Sequence, residues 1–462
     1  MPIERIVYII KRGRFLKRIG TVLFFCLLSF LLTSIPSFAA SSENNSWLGL
    51  WFAQQTMTGD WGGARSKLVN KGIDLSANYT TDIMGNPTGG LRKGVNYAGF
   101  LQAAVAVDFN KLTSWAGWAL TISNYLASGR NLSNEIGNFF GPQQIYAPGD
   151  YYFGQLGLSY TFPGDKLILE GGRLFAGDVF ATSSLWQYYV SGGINGNLVS
   201  ISSNTFFPNF QIATWGVRAT FEPDKHWKIS AAAYNANPKV ADTFRHGLDF
   251  SFSTEHGCLG IAQLTYKHNQ SCVEGLPGSA TVGGYYNSDS FPGVAEPSRS
   301  WNGNYGVYLI AEQMIFRGDW PPFSGASHLS SEARYSDKVK YPYYRQVVSP
   351  ADRPVGLSAW GAVYAAPGQK INTEIYQFSA GLVYQGLFPN RDRDVTAFCV
   401  LYGRFSDKLV GQEAETVLEL NHRFQLGQWC YITPDLQYIF NPNGQHNIDN
   451  AVVLGVEASF NF

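Results

Sequence analysis

Apolar and polar residues alternate from Glu415 to the carboxyl-terminal Phe462. Leu418, Leu420, Phe424 and Leu426 share one face of an extended strand, and Glu419, Asn421, Arg423 and Gln425 share the other, because side chains alternate with period two. The pattern resumes after a short Gly427-Gln428 turn. Ile432, Leu436, Tyr438 and Phe440 oppose Thr433, Asp435 and Gln437; then Val452, Leu454, Val456, Ala458, Phe460 and Phe462 oppose Gly455, Glu457, Ser459 and Asn461. These strands match the roughly 9–11 residues that a tilted strand needs to cross a bilayer. The pattern predicts the closing section of a transmembrane β-barrel.

The same two-faced pattern runs back through the chain. Ile73, Leu75, Ala77, Tyr79 and Ile83 oppose Asp74, Ser76, Asn78, Thr80 and Asp82. Further strands are read at 101–109, 118–126, 156–162, 167–174, 213–221, 227–234, 258–267, 280–287, 303–315, 357–366, 374–387 and 394–405. The total is about sixteen, an even number, as closure with both termini at one end requires. Tight turns (163–166, 222–226, Gly427-Gln428) alternate with long connections (128–151, 175–209, 235–257, 288–302). Stretch 316–356 is long where a short turn is due; either Ser327–Ser336 adds a strand or the chain carries an insertion. The predicted fold is all-β: an antiparallel barrel with long extracellular loops and a short N-terminal periplasmic helix.

Composition agrees. Aromatic residues make up 15% of the chain and charged residues only 15%, with 49 glycines, as suits a lipid-facing wall, aromatic girdles and many turns. Mean hydropathy is −0.11, which does not fit a helical membrane protein.

Six basic residues (Arg5, Lys11, Arg12, Arg14, Lys17, Arg18) precede the apolar run Thr21–Leu32 and Ser37-Phe38-Ala39. That is a secretory signal with cleavage expected after Ala39. Its removal takes six basic residues and one acid from totals of 34 each, leaving 28 and 33 and a net charge of −5. Nothing there suggests a nucleic-acid partner. Residues 40–72 are read as a periplasmic segment, 73–462 as the barrel. Ser41–Thr58 reads as a loosely held leader, and Ala64–Lys71 as a short helix with Asp60 as N-cap and Gly72 as stop. Cys258 and Cys272 are candidates for a local disulfide, whereas Cys399 and Cys430 fall on apolar faces as packed thiols. No spacing resembles a zinc site, and no cofactor is expected.

Several stretches, in order along nearly all of the chain beyond the signal, resemble the carbohydrate-selective porins of the OprB type. They are Gly59-Asp60-Trp61-Gly62-Gly63-Ala64-Arg65 running on to Lys71-Gly72-Ile73, Gly89-Gly90-Leu91-Arg92-Lys93-Gly94, and Gly172-Arg173-Leu174 with Phe180-Ala181-Thr182-Ser183. Ala213–Arg218, Tyr305–Tyr308 with Glu312-Gln313, Tyr384–Asp394 and Thr433–Ile439 complete the set. The resemblance implies a sixteen-stranded outer-membrane barrel that admits small, glucose-like sugars by passive diffusion. Its partners would be carbohydrate solutes, outer-membrane lipid and lipopolysaccharide, with monomer and homo-oligomer both open. Stretch 316–356 is longer than the family pattern, and Cys258 and Cys272 are not part of it.

A barrel of this size leaves a water-filled lumen. The candidate for narrowing it is the 175–209 loop, which sets Trp186, Tyr188, Tyr189, Phe206 and Phe207 among Gly, Ser and Asn. Aromatic faces take the C–H face of a pyranose, and planar donors and carboxylates bond its hydroxyls. Candidate pore-lining residues are Arg173, Trp186, Arg218, Glu419, Arg423, Asp435 and Gln437. Arg173 shares the parity of Leu167 and Leu169; the other charged candidates lie on polar faces, where mixed signs suit a neutral polyol. These charges also fit a wall-to-wall network bracing the barrel, and the aromatics also fit packing against the wall. A general porin, or one for another small polar solute, is the alternative function. An enzyme is not expected: His422 shares the lipid-facing parity of its strand, with no serine visibly placed beside it.

Overall fold

The computed structural model describes residues 47–270, 275–318 and 355–462. The predicted signal, Cys272 (with its proposed bridge) and the candidate strand Ser327–Ser336 lie outside the described residues. The first half of the barrel comprises β1 (Ile73–Gly90), β2 (Val95–Asp108), β3 (Trp118–Gly129), β4 (Tyr151–Thr161), β5 (Leu167–Leu174), β6 (Thr214–Phe221), β7 (Trp227–Asn235) and β8 (Cys258–His268). The second comprises β9 (Gly278–Pro292), β10 (Ser300–Arg317), β11 (Gly356–Ala365), β12 (Glu374–Gln385), β13 (Val395–Phe405), β14 (Ala414–Gln425), β15 (Cys430–Phe440) and β16 (Asp449–Asn461). Each strand pairs with its sequence neighbours, and β1 closes on β16 to give a sixteen-stranded antiparallel barrel.

Register carries the two faces around the wall. Ile83 opposes Val456 and Asp82 opposes Glu457, so apolar meets apolar and acid meets acid on alternate rows. Ile83, Val217 and Leu420 point outward and are 60%, 62% and 48% exposed, whereas Asp82, Arg218 and Glu419 on the other parity are covered. An exposed apolar band with polar groups inside is the arrangement that a bilayer selects.

The strands run longer than the alternation suggested at β1, β2, β9 and β10. The expected long connection 288–302 is therefore mostly strand, leaving 293–299 as the loop. β10 ends at Arg317 and β11 begins at Gly356, both at the end of the barrel that carries the short turns; residues 319–354 between them, with any insertion, lie outside the described residues.

From Trp47 onward the N-terminal segment is held rather than loose. Helix α1 (Trp47–Phe52) sits on the closing hairpin, where Trp51 and Phe52 pack on Trp429 with ring centroids 4.5 and 5.2 Å away. Met57 N donates to Asn461 O at 2.7 Å and Arg65 Nη2 to Phe462 O at 2.8 Å. Helix α2 (Ala64–Asn70) has Gly63, not Asp60, at its N-cap position. Asp60 Oδ1 instead accepts from the Ser66 backbone N–H at 2.8 Å, serving an end donor from further out. Gly72 follows α2 with φ +89°, and a Cβ there would meet Asp108 O at 2.5 Å, so glycine is required.

Candidate functional site

Three outer loops leave the rim: L2 (130–150), L3 (175–213) and L4 (236–257). L2 and L3 fold into the barrel. L3 starts and ends at β5 and β6, yet Tyr189 reaches β12 and β13, on the facing wall. Its residues Phe180, Leu185, Trp186, Ile194 and Ile201 share one apolar core with Tyr308, Trp360, Val383 and Leu401 of the wall.

Polar groups fix this position. Tyr189 Oη accepts from Trp360 Nε1 at 2.9 Å and lies 3.1 Å from both Leu382 O and Phe398 O. Burial pushes its hydroxyl well above the ordinary tyrosine range. Ser200 donates its hydroxyl to Glu374 at 2.7 Å, Asn204 donates to Tyr364 Oη at 3.0 Å, and Asn287 donates to Thr205 Oγ1 at 2.8 Å. These contacts keep the buried polar groups of loop and wall hydrogen-bonded.

Arg218 bridges Glu170 on the neighbouring strand and donates to Phe175 O at 3.0 Å, fixing the chain as it enters L3. Glu419 accepts the backbone N–H groups of Val190 and Ser191 at 2.7 and 3.1 Å. Arg423 donates to Gln187 O at 2.8 Å, lies 3.7 Å from Glu457, and stacks 3.9 Å from the Tyr431 ring centre. Gln437 donates to Pro142 O of L2 at 3.0 Å and to Asp435 at 2.8 Å. Trp186 packs edge-on against Trp360 at 5.6 Å. Glu419, Arg423, Asp435 and Gln437 lie together on β14 and β15 beneath the loops, Trp186 packs on β11 and Arg218 stands on β6 where L3 leaves the wall; all six are at most 2% exposed.

Arg173 is elsewhere. Its row partner Trp215 neighbours the exposed Val217 parity, so Arg173 stands on the outward face, as its parity with Leu169 implied. L4 folds over it: Arg173 donates to Gly247 O and to Ala213 O and stacks 4.7 Å from the Phe250 ring centre. The loop thereby shields from lipid a charge that the outward face of a membrane barrel disfavours.

Other residues were not singled out by sequence. Glu415 accepts from Phe139 N and Phe140 N of L2, both at 2.8 Å, and Gln144 of L2 donates to Glu457. Glu415 shares the parity of Glu419, so its inward direction was legible, but the loop that meets it was not. L2 itself carried no signal that it would fold inward.

His422 lies 2.7 Å from Thr396 Oγ1 and 3.4 Å from Asp394, packed beside Phe388 and Phe424. Asp394 is already held by Arg391 at 2.7 Å and by the Gln425 N–H at 2.9 Å. These contacts tie the 386–394 turn to β14. Among the described residues no group of three or more His, Cys, Asp or Glu is arranged to hold a metal.

Comparison with known proteins agrees with this architecture. Residues 92–462 match the family model described as carbohydrate-selective porin, OprB family. Porin B of Pseudomonas aeruginosa is 23% identical, covering 90% of this chain and 92% of its own. The putative porin QuiX of Acinetobacter baylyi is 22% identical over 88% of this chain. The high-pH structure of Pseudomonas putida OprB superposes with a TM-score of 0.76 at 22% identity, over 89% of this chain and 99% of that one. With a closed sixteen-stranded barrel, an apolar outer band and two loops packed into the lumen, this chain belongs to the OprB family of carbohydrate-selective porins of the bacterial outer membrane.

Proposed function

We propose that the channel passes small neutral sugars of glucose size, and that the L2–L3 constriction gives it that preference. The observation that carries this reading is the oxygen-rich wall beneath the loops. Asp82 and Thr433, on either side of Glu457 in one row of the inner wall, and Gln437 on β15 each present an oxygen that no protein group satisfies, and the Arg423 guanidinium lies 3.7 Å from Glu457. A sugar hydroxyl is both donor and acceptor and suits such a surface, while the aromatic residues of L3 suit its C–H faces. Glu419, Arg423, Asp435, Gln437, Arg218 and Trp186 support passage by fixing the shape of the constriction. The exposed apolar band of the wall faces the membrane lipid, lipopolysaccharide in the outer leaflet.

A second reading has one observation in its favour. Asp82, Glu419, Asp435 and Glu457 set four buried carboxyl groups on the wall around Arg423, and those that are ionised favour cations among charged solutes. Swelling of liposomes holding the purified protein separates the two. Saturable glucose entry, faster than that of size-matched neutral and charged solutes, is expected. Entry ordered by size alone would make it a general porin, and faster entry of a cation would favour the second reading.

A further inference from the structure

We infer that L2 and L3 form one hydrogen-bonded unit, with Glu415 and Glu419 of β14 as the positioning residues that clamp the two loops to the same strand.

Three observations converge. First, the loops bond to each other as a short ladder: Gln144 N donates to Val190 O at 3.0 Å, and Gly192 N donates to Gly141 O at 2.8 Å. Second, Glu415 and Glu419 share the inward face of β14, four residues and about 13 Å apart. Each receives two consecutive loop N–H groups, Phe139 and Phe140 of L2 for Glu415, Val190 and Ser191 of L3 for Glu419. Third, the neighbouring groups repeat the division. Asn421 Nδ2 donates to Tyr188 O at 3.0 Å and Arg423 Nη2 to Gln187 O, both on L3, while Gln437 reaches L2. Glu415 also accepts from Asn443 N, and Glu419 also bonds Asn421 Nδ2 and the Asp435 side chain.

A carboxylate that accepts two adjacent N–H groups fixes both the position and the direction of the loop backbone, and the bonds are charge-assisted. The L2–L3 ladder then transmits any loosening. Releasing L2 from Glu415 removes the support on which Val190 and Gly192 pair, although the hydrogen bonds of Glu415 run to L2 and Asn443 and not to L3.

The test compares Glu415→Gln, Glu419→Gln and the double variant in the full-length protein, each checked for the heat-modifiable gel shift of a closed barrel. Hydrogen exchange is read over 139–144 and 187–192, and single-channel conductance in planar bilayers. Each single substitution is expected to speed exchange in both segments by about tenfold and to raise conductance. The double variant is expected to exceed the larger single effect only slightly. Glu415→Gln that loosens 139–144 alone, or effects that simply add, would overturn the proposal. Gly192→Pro, which alters no strand, removes the N–H that reaches Gly141. In that background, with the Gln144–Val190 rung still in place, Glu415→Gln should loosen 187–192 less than it does alone; equal loosening of that segment would again refute the coupling. The inference uses the sugar reading only for its consequence. Coupled loosening with unchanged glucose preference would leave the clamp standing and defeat the proposed function instead.

Discussion

Glu170 and Arg218 face each other on β5 and β6 and form an ion pair from which solvent is excluded, with side-chain exposures of 1% and 0%. The pair sits where L3 leaves the wall, and its third bond, from Arg218 to Phe175 O, belongs to the loop. Replacing one member leaves the other charge buried, so Arg218→Met should cost about 3–5 kcal/mol. Replacing both, Glu170→Leu with Arg218→Met, should recover most of that stability but not the Phe175 bond. Denaturant unfolding followed by gel shift is the check. The double variant should be nearly as stable as the native barrel yet discriminate less between glucose and a larger sugar.

The N-terminal clasp yields a separate expectation. Trp429 Nε1 donates to Trp51 O at 2.9 Å while its ring lies against Trp51 and Phe52. Trp51 is half-buried, so Trp51→Ala should cost about 2 kcal/mol, less than the ~3–5 of a fully buried tryptophan. Because the clasp grips the barrel from outside the L2–L3 contacts, conductance and sugar preference should not change. A shift in conductance would mean that the segment also shapes the periplasmic mouth.

Arg173→Leu should separate the two faces of the wall. The substitution removes the donors to Gly247 O and Ala213 O and the stack on Phe250. L4 should then be nicked faster by protease added to intact cells, while glucose flux stays at the native level. A large loss of flux with L4 intact would place Arg173 in the solute path after all.

Period-two alternation made most of this legible. It set Asp82, Arg218, Glu419, Arg423, Asp435 and Gln437 on inward faces because a strand offers each side chain only two directions, and one direction here is lipid. It also marked Arg173 as sharing the parity of Leu169. What it does not hold is the partner. Gly247 lies 74 residues from Arg173 and Pro142 lies 295 from Gln437, and loops carry no periodicity that says where they fold. The inward turn of L2 was invisible for that reason. The clasp was missed because Trp47, Trp51 and Phe52 look like scattered aromatics until Trp429, on a distant hairpin, is beside them.

The contact of Tyr189 with the facing wall depends on a glycine. A Cβ on Gly381 would stand 2.5 Å from Tyr189 Oη and 2.7 Å from Phe398 O, so only a residue without one lets the hydroxyl reach the strand. Tyr189→Phe keeps the edge-on ring contact with Trp360 at 5.6 Å but leaves Trp360 Nε1 without its acceptor, at a local cost of about 1–3 kcal/mol. Gly381→Ala should be worse, because the added methyl pushes the whole ring off the wall and the loop with it. Combining the two should be milder than Gly381→Ala alone, since removing the hydroxyl relieves its clash. Liposome swelling with glucose against a disaccharide reads the result: discrimination should fall most for Gly381→Ala, less for the pair and least for Tyr189→Phe. Equal losses for Gly381→Ala with and without Tyr189→Phe would show that the methyl acts through β12 itself and not through the loop.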